Sequence, residues 1–338
     1  MPHEPRLTVY TLEIKPSSAN IERSNRFLCK CLTKQVNEKG ITDSVLFLDL
    51  FKKFISDIDN PEMYSDPVTK KCMTANQAGI NDNNLNANIH PHSENFIIEG
   101  KVEGGNYGKR RKKTSTLNKS INSVVEEKDA ITDDFYFMLY IPFGSYKITL
   151  FLQSYTDESI DSVMKKFWTN FFTVQNYFET PKIKRFIPKS IIEDFKKKST
   201  VNSLTFSTDI AGETLLGSTY KNVSKHYKIT IQIKPTKDDL TIDEYEKTVP
   251  KIKETFFTKL MTLGQFKNQK GSLRDSITNK TSSFDLATSF DVKPSILLSK
   301  YITLKNDESD FERIKQYCFK LLEVLKTEIY NTDAIKER

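Results

Sequence analysis

The chain has 338 residues, enough for one large domain or two ordinary ones and for a core that needs no disulfide or metal to hold it. Fifty-one Lys and Arg against 44 Asp and Glu leave a net charge of +7, an excess that suits nucleic acid or an acidic partner but excludes a histone-like polycation. With 37% hydrophobic residues, no signal-peptide pattern and no run of about 18 apolar residues, the sequence predicts a cytoplasmic protein with no membrane partner. Four cysteines, Cys29, Cys31, Cys72 and Cys318, fall in neither a paired framework nor a zinc spacing and read as reduced thiols.

Leu7 to Ile14 alternates as a strand and ends at Lys15-Pro16. A helix follows from Asn25 to Val36. A second is predicted from Val45, Leu46, Leu48, Leu50, Phe51, Phe54, Ile55 and Ile58, which make a broad apolar face before Asn60-Pro61. Residues 75–88 hold six Asn and little that can pack, so they read as a loop, with His90-Pro91-His92 beside it. Phe96 to Val102 reads as a strand cut by Gly104-Gly105, and Lys109 to Lys128 as an exposed hairpin arm or insertion.

Phe135 to Ile141 and Lys147 to Gln153 flank a turn and predict a core β-hairpin. Asp157 is placed to cap a helix carrying Ile160, Val163, Phe167, Phe171, Val174 and Phe178 at helical spacing. A strand at Lys182 to Ile187, a helix from Pro188 to Lys198 and a strand from Val201 to Phe206 complete a β-β-α-β-α-β succession. Tyr227 to Ile233 alternates as a strand. Thr241 and Glu244 suit a capping box, and Pro250 suits the first turn of a helix ending at Gly264. Two short strands are predicted between Phe284 and Leu304. A final helix opens on a Ser309/Glu312 capping box and carries Phe311, Ile314, Cys318, Leu321, Leu325 and Ile329.

The expected fold is therefore α+β or α/β. A mixed β-sheet has flanking helices, the C-terminal helix packs on it, and a basic insertion at about 75–130 is exposed. Two lobes, 1–208 and 209–338, or one continuous domain fit this pattern.

Few groups suggest chemistry. Gly100, Gly104, Gly105 and Gly108 match no phosphate-binding fingerprint, and no nucleophile elbow occurs. His90 and His92 read as surface-loop residues. Glu99 and Lys101 form an E-x-K on a strand, an arrangement that sets a carboxylate on Mg²⁺ and an ammonium near the attacking water in metal-dependent nucleases. Only Glu103 lies on the same strand face, so no cofactor is expected unless that alternative holds. The densest charge run is Lys109-Arg110-Arg111-Lys112-Lys113, followed by Lys119, and such a run can track a phosphate backbone. Tyr107 and Lys196, Lys197 and Lys198 would extend the surface if they lie beside it.

The segments IIEGKVEGGNYG, FYFMLYIP, KITLFLQSYT and FIPKSIIEDFKKKSTVNSLTF, spanning about residues 95–207, resemble uncharacterised bacterial proteins encoded near phage-defence or mobile-element genes. The resemblance implies a bacterial host and an antiviral role, and it carries no functional residues with it. The leading expectation is a non-catalytic protein that binds or senses DNA or RNA. The alternatives are a metal-dependent nuclease using Glu99 and Lys101, and a protein-interaction subunit of a multi-subunit complex whose basic arm docks an acidic partner.

Overall fold

In a computed structural model of the chain, the described residues are 4–75, 88–118, 120–211, 226–260, 266, 268–275, 281–286, 294–303 and 310–330. They form two compact units, residues 1–186 together with 295–338, and residues 187–294. The division differs from a boundary at 208 because that position lies inside a continuous strand, Ser199–Ala211, and because the chain returns at its end to the first unit.

In the first unit the order is β1 (Pro5–Glu13), α1 (Asn25–Leu32), α2 (Asp43–Ile58), β2 (Tyr64–Asp66), β3 (Lys71–Thr74), β4 (Ile89–His92), β5 (Ile97–Asn106), β6 (Arg111–Thr114), β7 (Asn122–Val125), β8 (Ile131–Tyr140), β9 (Lys147–Tyr155), α3 (Asp161–Phe171) and β10 (Lys182–Phe186). The second unit holds α4 (Lys189–Lys198), β11 (Ser199–Ala211), β12 (His226–Ile233), β13 (Leu240–Thr241), α5 (Ile242–Leu260), β14 (Asn268–Asp275) and β15 (Thr281–Asp285). The first unit is completed by β16 (Ile296–Leu297) and α6 (Phe311–Ile329).

The main sheet runs β10-β1-β9-β8-β5-β3-β2, with β16 beside β1 and β4 beside β5. All its pairings are antiparallel, from Pro5↔Tyr155 to Glu13↔Lys147 between β1 and β9 and from Ile97↔Tyr140 to Asn106↔Ile131 between β5 and β8. The fold is thus α+β, and its sheet is antiparallel where a mixed one was expected. Strands near 206 and 230 do not join it; they belong to the second unit.

Both faces of the main sheet are covered, which explains the unbroken apolar run of β8. Phe135, Phe137 and Leu139 face the core shared with α2 and α3, while Tyr136 and Met138 alternate to the other face, where α6 packs on β8. Such two-sided burial removes the polar half of the usual strand alternation. Helix α2 is capped by the Thr42 side chain, which accepts from Val45 N, and it buries Leu46, Phe47, Leu50, Phe51, Phe54 and Ile58. Val45, expected on that face, is 51% exposed, and Phe47 takes its place. The Phe54 ring stacks on Trp168 of α3 at 4.9 Å and meets Phe137, Phe167 and Phe171 at steeper angles.

Several boundaries differ from the sequence reading. Helix α3 begins at Asp161, where Ser159 Oγ accepts from the Asp161 N–H, so Asp157 is not its cap, and it ends at Phe171 before Val174 and Phe178. Helix α6 is capped by Asp310, whose carboxylate accepts from Arg313 N; Ser309 lies outside the described residues. Strand β5 runs straight through Gly104 and Gly105. These glycines act by lack of bulk: a Cβ on Gly104 would sit 2.8 Å from the Cys72 carbonyl oxygen of β3, and one on Gly105 would collide with the Ile131 carbonyl. The glycine pair lets flanking strands close in and does not interrupt the ladder.

The second unit is a five-stranded antiparallel sheet, β12-β11-β14-β15 with β13 on β11. Ile242, Tyr245 and Val249 of α5 pack on Val201, Leu204, Phe206, Leu273 and Phe284. The expected capping box is present in reciprocal form. Glu244 N donates to Thr241 Oγ1 at 3.2 Å, and Thr241 N donates to the Glu244 carboxylate at 2.8 Å. Pro250 is not in a first turn but inside the single helix α5.

Candidate nucleic-acid interface

The basic run lies on an arm. Among the described residues, strands β6 and β7 pair only with each other, in the register Arg111↔Val125, Lys112↔Val124, Lys113↔Ser123 and Thr114↔Asn122. At its base the chain leaves β5 through Gly108, at φ +86°, a left-handed turn that suits glycine, and Gly108 N donates to the Glu127 carbonyl at 2.9 Å. All four residues of β6 are exposed, as are Lys109 and Arg110. Arg110 Nε lies 3.5 Å from the Glu126 carboxylate, an exposed pair of small energetic weight. Among the described residues Lys109, Arg111, Lys112 and Lys113 have no ion-pair partner within salt-bridge distance, although Lys109 and Arg111 line a small cleft with Asp129.

The other predicted cations are placed differently. Lys119 lies outside the described residues. Lys196, Lys197 and Lys198 end α4 in the second unit. There Lys196 Nζ is 3.6 Å from Glu246 and Lys198 Nζ 2.7 Å from Asp194. Lys196 and Lys197 line a groove of about 400 Å³ together with Thr241, Ile242, Asp243 and Glu246, a mixed-charge surface rather than a basic one. Tyr107 carries the Lys70 ammonium 5.6 Å from its ring centroid, so a face that could stack a base already holds a cation.

Glu99 and Lys101 do share a face of β5, the one covered by α6, but they do not share a partner. Glu99 is 2% exposed, and its Oε1 lies 2.8 Å from Lys315 Nζ of α6 and 3.2 Å from His92 Nε2 of β4. Lys101 Nζ instead meets Asp134 at 3.1 Å and lies 5.0 Å from the Phe311 ring centroid. Glu103, the remaining carboxylate of that strand face, accepts from the Thr132 hydroxyl at 2.5 Å. Among the described residues no three His, Cys, Asp or Glu side chains converge as a metal site.

Around Glu99 the structure gathers groups that sequence reasoning did not connect. Cys318 is fully buried, and burial followed by the nearby Glu99 charge pushes its thiol pKa well up, the reverse of a reactive thiolate. Burial above all, with the Glu99 carboxylate beside it, likewise raises the Tyr136 hydroxyl. His92 is not on a surface loop. It ends β4, which among the described residues pairs with β5 alone and so tolerates Pro91 as an edge strand does, and its ring stands edge-on to Phe319 at 5.5 Å. His92 and Lys315 of this cluster also line an open groove of about 480 Å³, together with Glu312, Gln316, Phe319 and Lys320.

No helix among the described residues is long and apolar enough to cross a membrane. No protein-family model matches the chain, and no curated protein is detectably similar to it.

Proposed function

We propose that this chain is a non-catalytic nucleic-acid-binding protein whose contact surface is the β6–β7 arm. The observation that carries the reading is the exposure of Arg111, Lys112 and Lys113 on a two-stranded ribbon, with Lys109 exposed just before it and none of the four given a carboxylate partner among the described residues. A phosphate backbone supplies the missing anions, and binding gains from release of the counterions condensed on it. The nuclease alternative has less to draw on, because the Glu99 carboxylate is already engaged by an ammonium. An antiviral setting in a bacterium rests on the resemblance of residues 95–207 alone.

The test is affinity for DNA and RNA as a function of salt. Affinity should fall linearly on a log–log scale, and changing Arg111, Lys112 and Lys113 to Ser should reduce the slope by about 1 per cation removed, uniformly across sequences. Because β6 is exposed, the variant should melt close to the parent. Binding that ignores salt, or no binding at low salt, would overturn the proposal.

A further inference from the structure

The arm ends in a feature that phosphate binding does not require. Leu117 at its tip is 98% exposed and Ile121 is 64% exposed, the first being the most exposed large apolar side chain among the described residues. Hydrogen bonds join the described residues around them. Ser115 N donates to the Ile121 carbonyl at 2.9 Å, and Ile121 N to the Asn118 carbonyl at 3.0 Å. Ser115 Oγ accepts from the N–H groups of Leu117 and Asn118, and Asn118 Oδ1 accepts from Ser120 N. A lone exposed leucine is ordinary in itself; what distinguishes this one is its place at the end of the basic arm, beside Ile121.

The arm's layout indicates what. Residues directly opposite in the ribbon share a face, so Arg111 and Lys113 lie on one face and Lys112 on the other. The shaft therefore offers cations on both sides along about 13 Å of strand, and the apolar group lies beyond them at the end. A ribbon of this kind fits between two rows of phosphates, with the tip reaching the bases. Grooves of B-form DNA admit a two-stranded ribbon, whereas the major groove of an RNA helix is too narrow and its minor groove too shallow to hold one.

We infer that Leu117, flanked by Ile121, is an apolar wedge that inserts at a base step of duplex DNA, partly unstacking it and bending the duplex, while the β6 cations grip the flanking phosphates. This inference rests on the arm being the nucleic-acid surface. Unstacking one step costs a few kcal/mol, which the added phosphate contacts of a bent duplex offset. Steps that unstack easily, such as TA and CA, should be preferred without any hydrogen bond to a base edge.

The experiment uses the full chain and a duplex of about 30 base pairs carrying a central TA step, 2-aminopurine beside that step, and a donor and acceptor dye at the two ends. The same chain is also titrated with vesicles of anionic lipid. Wild type should raise 2-aminopurine fluorescence and shorten the end-to-end distance. Leu117→Ser should bind about 10-fold more weakly, with a salt slope lowered by the phosphate contacts that the bend adds, and should produce neither signal. The triple Ser variant of β6 should lower the slope by about 3, one for each cation removed. Duplex binding without unstacking, or unstacking that survives Leu117→Ser, overturns the wedge and leaves the basic arm as a nucleic-acid surface. Absence of binding by wild type at low salt removes both. Vesicle binding that is tighter than duplex binding and lost in Leu117→Ser also overturns the wedge, because the tip would then serve a lipid surface.

Discussion

The Glu99 carboxylate and the Lys315 ammonium, from β5 in the first third of the chain and α6 more than 200 residues later, meet 2.8 Å apart with Glu99 almost fully buried. The pair ties the C-terminal helix to the sheet on the side where Ile314, Cys318 and Leu322 of the helix are buried. A carboxylate taken out of water needs a cation, and His92 at 3.2 Å is the only second candidate among the described residues.

Lys315→Met should therefore destabilise the protein by about 2 to 3 kcal/mol, somewhat below the cost of breaking a fully buried pair because Lys315 remains 30% exposed. Adding Glu99→Gln should recover part of that loss, since the orphaned charge is gone. Denaturant melts of the two single variants and the double variant measure the coupling; losses that simply add would show that the contact does not hold the helix.

Phe54 gives a test of the opposite face. Its ring is fully buried against Trp168, Phe137, Phe167 and Phe171, so Phe54→Ala should cost about 3 to 5 kcal/mol through lost transfer energy and a residual cavity. Val45→Ala on the same helix should cost less than about 0.5 kcal/mol, because Val45 is half exposed. Equal melting shifts for the two would mean that the helix is rotated from the orientation described.

These elements differ in how far the sequence discloses them. The strands around Val9, Phe137, Leu150 and Ile231 and the helices carrying Phe54 and Leu321 are legible because apolar spacing is a local property. The exposed basic hairpin is legible too, since charge beside Ser and Thr cannot pack. What escapes is long-range. Nothing local tells that Lys315, next to Ile314 on an amphipathic helix, turns inward to Glu99. Glycine is locally a breaker, so Gly104 and Gly105 read as an end to β5, although close strand approach is what they provide. The two-unit division escapes because the last helix rejoins a sheet built mostly from the chain's first half. The basic run of the candidate interface was readable; the wedge residue was not, because a lone leucine among polar residues has no pattern.

Asp66 and Lys166 predict a pH dependence. The Lys166 ammonium at 2.7 Å, then the Thr69 hydroxyl, hold Asp66 down to about 2 from an ordinary 3.8, and the same contact raises Lys166. A carboxyl whose pKa is lower in the folded state contributes stability that is complete above about 4 and is lost as pH falls towards 2. The lysine's contribution has the opposite sense, present at neutral pH and lost only as pH rises beyond its raised value. Asp66→Asn should thus lower Tm at pH 7, and the gap from wild type should close between pH 4 and pH 2. A gap that stays constant through that window would show that Asp66 acts by shape and not by charge.

Gly105 offers the sharpest test of the sheet. It pairs with Cys72 on β3 and Thr132 on β8, so it is enclosed by strands on both sides. A Cβ there would fall against the Ile131 carbonyl oxygen, with the Ile131 carbon at 2.8 Å and the Thr132 Cα at 3.0 Å. All three atoms are backbone, held by the β5–β8 ladder, so no flexible side chain can swing aside. Gly105→Ala should consequently separate the two strands at this point and cost about 4 kcal/mol or more, among the largest effects a single methyl group produces. Gly144→Ala serves as the control, since nothing lies within 4 Å of a Cβ at that turn, and its effect should stay within about 0.5 kcal/mol. Hydrogen exchange should locate the damage, with faster exchange at the β5 and β8 amides near residues 104–106 and 131–133 and unchanged rates in β1 and β9. Wild-type-like melting of Gly105→Ala would mean that the strand carries a break at the glycine pair, as its local sequence suggests, and that the continuous β5–β8 register is wrong there.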